Sequence, residues 1–112
     1  MLDTINIHDI LFLDIETVPA VDGYSKLPDV MKELWNHKAS FLKKSEEETP
    51  ETLYNRAGIY AEFGKIICIG AGFFNPNMKK KREFRMTAFY GDDEKILLED
   101  FKSTLENRRN FE

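Results

Sequence analysis

A short apolar run at residues 10–13 ends abruptly at Asp14, and this transition constrains the fold more than any other feature of the chain. Four consecutive apolar residues followed by polar ones are typical of a strand that is buried on both faces of a mixed or parallel sheet. Asp14 and Glu16 follow with one residue between them. Because side chains alternate along a strand, we expect both carboxylates on one face of the sheet.

The rest of the chain alternates between helical and strand patterns. Apolar spacing of three and four residues predicts a helix over about 28–43, and the Thr-Pro pair at 49–50 predicts the start of a second helix. β-Branched and aromatic residues indicate a central strand over 64–74, paired as a hairpin with a half-exposed strand over 84–90. Turn and N-cap signals at Gly91, Asp92 and Asp93 predict the start of a last helix over about 93–108. This order predicts an α/β fold with a mixed sheet of about three strands.

Composition and charge place the chain among ordinary globular domains. Its 112 residues suit one domain, and 42% hydrophobic and 32% charged residues argue against disorder. The formal net charge of -4 gives no overall attraction to nucleic acid, so such contact requires a local basic patch or bound cations. With a single cysteine, Cys68, and no segment typical of a leader or a membrane span, we expect a cytoplasmic protein without membrane contact.

Asp14 and Glu16 are candidate ligands for Mg²⁺ or Mn²⁺. Hard divalent cations prefer oxygen ligands, and Mg²⁺ takes few protein carboxylates, since water and substrate phosphate complete its coordination sphere. Cations held in this way would allow an acidic protein to bind a phosphodiester. An isolated Asp-x-Glu triplet is also common at the end of a strand, where it only makes that end soluble. The triplet alone therefore does not distinguish a metal site from a solvated strand end, and the surrounding sequence is needed.

The string FLDIET at residues 12–17 resembles the first motif of the DEDD superfamily of 3′-to-5′ exonucleases, whose fold is ribonuclease H-like. More narrowly, the strand sequence at 60–74 and the acidic helix at 96–101 are similar to those of predicted exonucleases related to the exonuclease domain of family B DNA polymerases. The resemblance implies that residues 1–112 form the N-terminal half of one such domain, with a helical insertion at about 28–61.

The resemblance also implies a role for each residue of this motif. Asp14, as a catalytic and metal-binding residue, would bridge two metal ions. Glu16 would bind the ion that activates water and would reach the terminal 3′-hydroxyl. Thr17 and the backbone beside it, including Ile15, would contact the last nucleotide of a single strand, with DNA favoured. The implied reaction is two-metal hydrolysis of the terminal phosphodiester, which releases a nucleoside monophosphate.

Two later motifs of the family, a helical aspartate and then a Tyr or His with a final Asp, do not follow before Glu112. We therefore expect a truncated domain that holds half of the metal site, binds metal weakly on its own and hydrolyses little. The sequence leaves open whether a DNA polymerase or a repair protein is its partner.

Two other functions are compatible with this strand end. Phosphatases of the haloacid dehalogenase type also place an aspartate nucleophile and a second aspartate after a buried strand, but Glu16 stands where that second aspartate would be. A non-catalytic ribonuclease H-like binding module would carry the same strand, and replacement of Asp14 by Asn would then leave Mn²⁺ affinity unchanged.

Several other residues have a structural interpretation. Glu62 is predicted to be an acid at a helix end, and His8 and His37 to have surface or packing roles because neither has a partner at ligand spacing. The basic run at 79–82 is predicted to be a solvated hairpin tip rather than a phosphate contact. Three aromatic residues are predicted to pack in a core: Trp35, Phe41 and Phe63.

Overall fold

The computed structural model describes residues 2–75 and 83–107, which form an α/β arrangement of strands and helices. The α/β class and the predicted order of elements are confirmed, and the ribonuclease H-like fold stays a prediction. In chain order the strands and α-helices are β1 (Phe12–Pro19), α1 (Asp29–Leu42), α2 (Pro50–Leu53), β2 (Gly64–Phe74), β3 (Phe84–Tyr90) and α3 (Glu94–Glu106). A 3-10 helix over Tyr54–Ile59 directly continues α2.

The chain divides into two compact units. The sheet unit consists of Met1–Glu16 and Ile66–Glu112, and the helical unit consists of Thr17–Lys65. Strands β1 and β2 each belong to both units, because the division falls after Glu16 within β1 and after Lys65 within β2.

Strand β2 lies between β1 and β3 in an antiparallel sheet, as expected for a central strand. Its pairing with β3 runs from Cys68 opposite Tyr90 to Phe74 opposite Phe84, which confirms the predicted hairpin. The expectation of a mixed sheet is wrong for the described strands, because all three form one antiparallel sheet. The predicted basic tip at 79–82 lies outside the described residues.

Strand β1 is largely exposed, and the prediction that it is buried on both faces is wrong for the described part of the chain. Leu13 and Ile15 each keep 50% of their surface accessible. The physical reason is coverage. A strand buried on both faces needs layers above and below it. Within the sheet unit, the described helix α3 contacts β3, at the opposite edge of the sheet from β1.

Helix α3 covers one face of the hairpin. Asp93, the predicted N-cap, accepts a hydrogen bond from the Ile96 amide at 3.1 Å. The ring of Phe101 contacts that of Phe89 with 5.6 Å between centroids, and Leu97 is buried. Because Phe89 pairs with Ile69, both side chains belong to this sheet face, which we call the helix face.

Trp35 is the centre of the core in the helical unit. Its fully buried ring lies 5.0 Å from that of Phe63 and 5.6 Å from that of Tyr54, in edge-to-face geometry. Its indole N–H donates to the Pro50 carbonyl at 2.7 Å, so the one polar atom of the side chain is satisfied. The predicted core positions of Trp35 and Phe63 are confirmed. Further buried members are Leu27, Ala39, Leu53 and Ala57.

Phe41, predicted to pack in the core, is 77% exposed, and that prediction is wrong. Successive residues of a helix are about 100° apart, so position 41 points about 120° away from position 35, whereas position 42 nearly overlies it. The chain accordingly packs Leu42 against the core instead. The predicted cap of the second helix is confirmed, since Thr49 and Thr52 exchange hydrogen bonds between side chain and backbone.

We expect Trp35→Phe to lower the free energy of unfolding by about 2 kcal/mol, because it leaves the Pro50 carbonyl without its donor and removes buried ring volume. Phe41→Leu, at an exposed aromatic position, should change it by less than about 0.5 kcal/mol. Urea denaturation measures the free energy of unfolding of both variants. It is followed by far-UV circular dichroism rather than by fluorescence, because Trp35→Phe removes the only tryptophan. Equal losses of unfolding free energy in the two variants would contradict the assignment of Trp35 to the core and of Phe41 to the surface.

Candidate functional site

Asp14 and Glu16 lie on β1 within the sheet unit, and both are exposed. Strand alternation places the two side chains on the same face of the sheet, as the sequence predicts. Within residues 2–75 and 83–107, neither carboxylate has a hydrogen-bond or ion-pair partner. Two anionic groups on one face, without protein cations beside them, leave their oxygen atoms available to an external ligand.

Gly70 on β2 lies next to Asp14 on the neighbouring strand. A Cβ atom added to Gly70 would lie 3.8 Å from Cβ of Asp14 and 4.0 Å from Cε of Met86. These are ordinary van der Waals distances, so the missing side chain leaves free space next to the carboxylate. We call the sheet face that bears Asp14 and Gly70 the carboxylate face. Local sequence patterns did not identify Gly70 or Met86 as neighbours of Asp14, because the register between strands brings them there.

Thr17 and Ile15, the predicted substrate contacts, have different environments. The Thr17 hydroxyl donates to the Gly58 carbonyl at 2.7 Å within the helical unit, so its oxygen is left to accept a hydrogen bond. Ile15 stands between the two carboxylates, and alternation turns its side chain to the opposite face. Its contribution to nucleotide binding would therefore come from its backbone, and both roles stay predictions.

Among the described residues, no group of three or more His, Cys, Asp or Glu side chains is positioned to hold a metal ion. His8 lies with Nδ1 3.5 Å from the Phe74 carbonyl, and the ring of His37 contacts Phe41. Asp14 and Glu16 therefore stand as a pair of candidate ligands in this part of the chain.

Glu62 has an electrostatic role at the surface of the helical unit. A hydrogen bond from its own backbone and one from Lys38, whose Nζ lies 3.0 Å from Oε1, lower the pKa of Glu62. Lys38 also lies over the ring of Tyr60, 4.2 Å from its centroid. Glu62 thus anchors a surface cation beside the aromatic core, in line with a structural role.

A concave pocket in the helical unit lies between the end of α1 and the start of α2. Asp14 and Glu16 are not among its lining residues, so it is separate from the candidate site. Its lining includes Asn36, Ser40, Lys43, Glu48, Thr49 and Pro50.

Comparison of the chain with protein-family models, curated proteins and solved structures gave no match. None of the described helices is both long and apolar enough to cross a membrane. The function is therefore inferred from the residues and their geometry.

We expect Gly58→Ala and Gly70→Ala to differ sharply in stability. A Cβ at Gly58 would lie 2.9 Å from the backbone carbon of Val18, so overpacking should cost about 1 to 3 kcal/mol. Gly70 has room for a methyl group, and its replacement should cost less than about 1 kcal/mol. Thermal denaturation of both variants tests the free space beside Asp14, and an equally damaging Gly70→Ala would refute it.

Proposed function

We propose that this chain carries the first carboxylate pair of a metal-dependent 3′-to-5′ exonuclease with a ribonuclease H-like fold. The substrate is the 3′ end of single-stranded nucleic acid, with DNA favoured. The observation that carries this proposal is the exposed, unpaired placement of Asp14 and Glu16 on one face of β1, within the described chain. The similarity of residues 12–17 to the first motif of these exonucleases supports it.

The residues present fit the metal ions that such a reaction uses. Mg²⁺ and Mn²⁺ prefer oxygen ligands, and Mg²⁺ takes one or two protein carboxylates while water and substrate phosphate fill the remaining positions. Asp14 and Glu16 supply that donor set, and the space above Gly70 leaves access to Asp14. When bound, such ions lower the pKa of an attacking water and stabilise the charge that develops on the phosphodiester.

The protein's own residues have distinct tasks in this proposal. Asp14 and Glu16 hold the cations and so convert a repulsive acidic surface into one that accepts a phosphate. Thr17 contributes its backbone beside Glu16, since alternation turns its side chain away from the carboxylate face and its hydroxyl donates to the Gly58 carbonyl. The backbone of Ile15 continues β1 between the two ligands and fixes their spacing.

A haloacid dehalogenase-type phosphatase is less favoured. That chemistry uses a second aspartate after the nucleophile, and Glu16 has a longer side chain at this position. Two assays distinguish these activities. Hydrolysis of p-nitrophenyl phosphate would favour the phosphatase, whereas release of mononucleotides from a 3′ end would favour the exonuclease.

We expect Asp14→Asn and Glu16→Gln each to weaken Mn²⁺ binding by about tenfold or more, because each removes one of two anionic ligands. Asp100→Asn, an exposed carboxylate on α3, is the matched control and should leave Mn²⁺ affinity unchanged. Isothermal titration of the chain with Mn²⁺ measures all four proteins.

Mn²⁺ should also tighten binding of a single-stranded oligonucleotide to the wild-type chain, because it removes the repulsion between carboxylates and phosphate. This gain should be lost in Asp14→Asn. Equal Mn²⁺ affinity in the wild type and in both site variants would reject the metal-dependent function and favour a non-catalytic module.

A further inference from the structure

The carboxylate face bears a cluster of three phenylalanine rings, Phe12, Phe74 and Phe84, which we call the aromatic patch. The ring centroids lie 6.0 Å apart for Phe12 and Phe74, and 5.7 Å apart for Phe12 and Phe84. Phe74 and Phe84 are cross-strand partners with 5.0 Å between their centroids. All three belong to the sheet unit, so they form one local cluster.

The aromatic patch shares its sheet face with Asp14. Phe12 precedes Asp14 by two residues on β1, which puts the two side chains on the same face with Cα atoms about 6.7 Å apart. On β2, Gly72 follows Gly70 by two residues, and the Phe84 ring lies directly over it. The rings therefore continue the surface that begins at the carboxylates.

This face of β3 is apolar although it is exposed. Phe84 is 41% accessible, Met86 68% and Tyr90 80%, whereas Arg85 and Thr87 alternate with them on the helix face. Phe12, on the neighbouring edge of the patch, is also 41% accessible. An exposed apolar surface of this kind is typical of a binding site, and here it is continuous with two carboxylates.

We propose that the aromatic patch binds the bases of the single strand whose terminal phosphodiester is placed at Asp14 and Glu16. This inference rests on the proposed function and assigns its base-positioning residues. Aromatic rings stack on nucleobases without regard to sequence, because every base has a π-face. The patch carries no charge, so it suits the neutral bases, while the carboxylates with their cations suit the phosphates. Phe84 and Phe12 are positioning residues in this arrangement.

The test compares two labelled oligonucleotides by fluorescence anisotropy, one of ten thymidines and one in which the last three nucleotides are abasic. With Mn²⁺ present, the wild-type chain should bind the intact strand about 5- to 150-fold more tightly, which is the range for stacking of one base on an aromatic ring. Phe84→Leu keeps an apolar side chain over Gly72 but removes one of the flat rings, and should lower the ratio of the two affinities by about fivefold or more. Phe41→Leu, the same replacement at an exposed aromatic on α1, should leave the ratio unchanged.

Three outcomes overturn the base-binding role. An unchanged ratio in a folded Phe84→Leu protein whose oligomeric state is also unchanged would assign the patch to packing alone. A wild-type ratio of one would also reject it. A change of oligomeric state in Phe84→Leu, measured by sedimentation without a change in the ratio, would make the patch a contact between copies of this chain. Circular dichroism confirms that each variant is folded.

The Mn²⁺ titrations separate this inference from the proposed function. Loss of Mn²⁺ affinity in Asp14→Asn, together with an unchanged ratio in Phe84→Leu, would reject base binding and retain the metal site. Unchanged Mn²⁺ affinity in Asp14→Asn, with a ratio that falls in Phe84→Leu, would reject the metal-dependent function and retain the bases as the ligand of the patch.

Discussion

The pairing of strand β2 on both of its edges is the constraint on which the rest of the sheet unit depends. Its backbone groups bind β1 on one side and β3 on the other, so that strand register decides which side chains meet. A shift of one residue would move Phe74 and Gly70 to the helix face. The carboxylates, Gly70 and the phenylalanine rings thus share one face because main-chain hydrogen bonds between the strands fix this register.

Local sequence patterns predicted those features that depend on neighbouring residues. The cap residues Thr49 and Asp93, the central strand β2 and the buried Trp35 all follow from spacing of a few positions, and the structure has each of them. The same patterns placed Asp14 and Glu16 on one face, because alternation is a local property of a strand.

Features that depend on distant parts of the chain were predicted poorly. The exposure of β1 depends on which layers cover it, and Phe41 could not be separated from Leu42 because both fit a spacing of three or four residues. The closeness of Gly70 to Asp14 depends on pairing between strands that are more than fifty residues apart in sequence. Physical contact across the sheet is not encoded in either segment alone.

The single tryptophan, Trp35, lies in the core of the helical unit and so reports on that unit. Its fluorescence should follow the opening of this core, whereas far-UV circular dichroism averages over both units. Coincident transitions by the two probes would mean that the units unfold as one cooperative block, and separate transitions would reveal a partly folded state. The position of one indole thus makes the coupling between the units measurable without an added label.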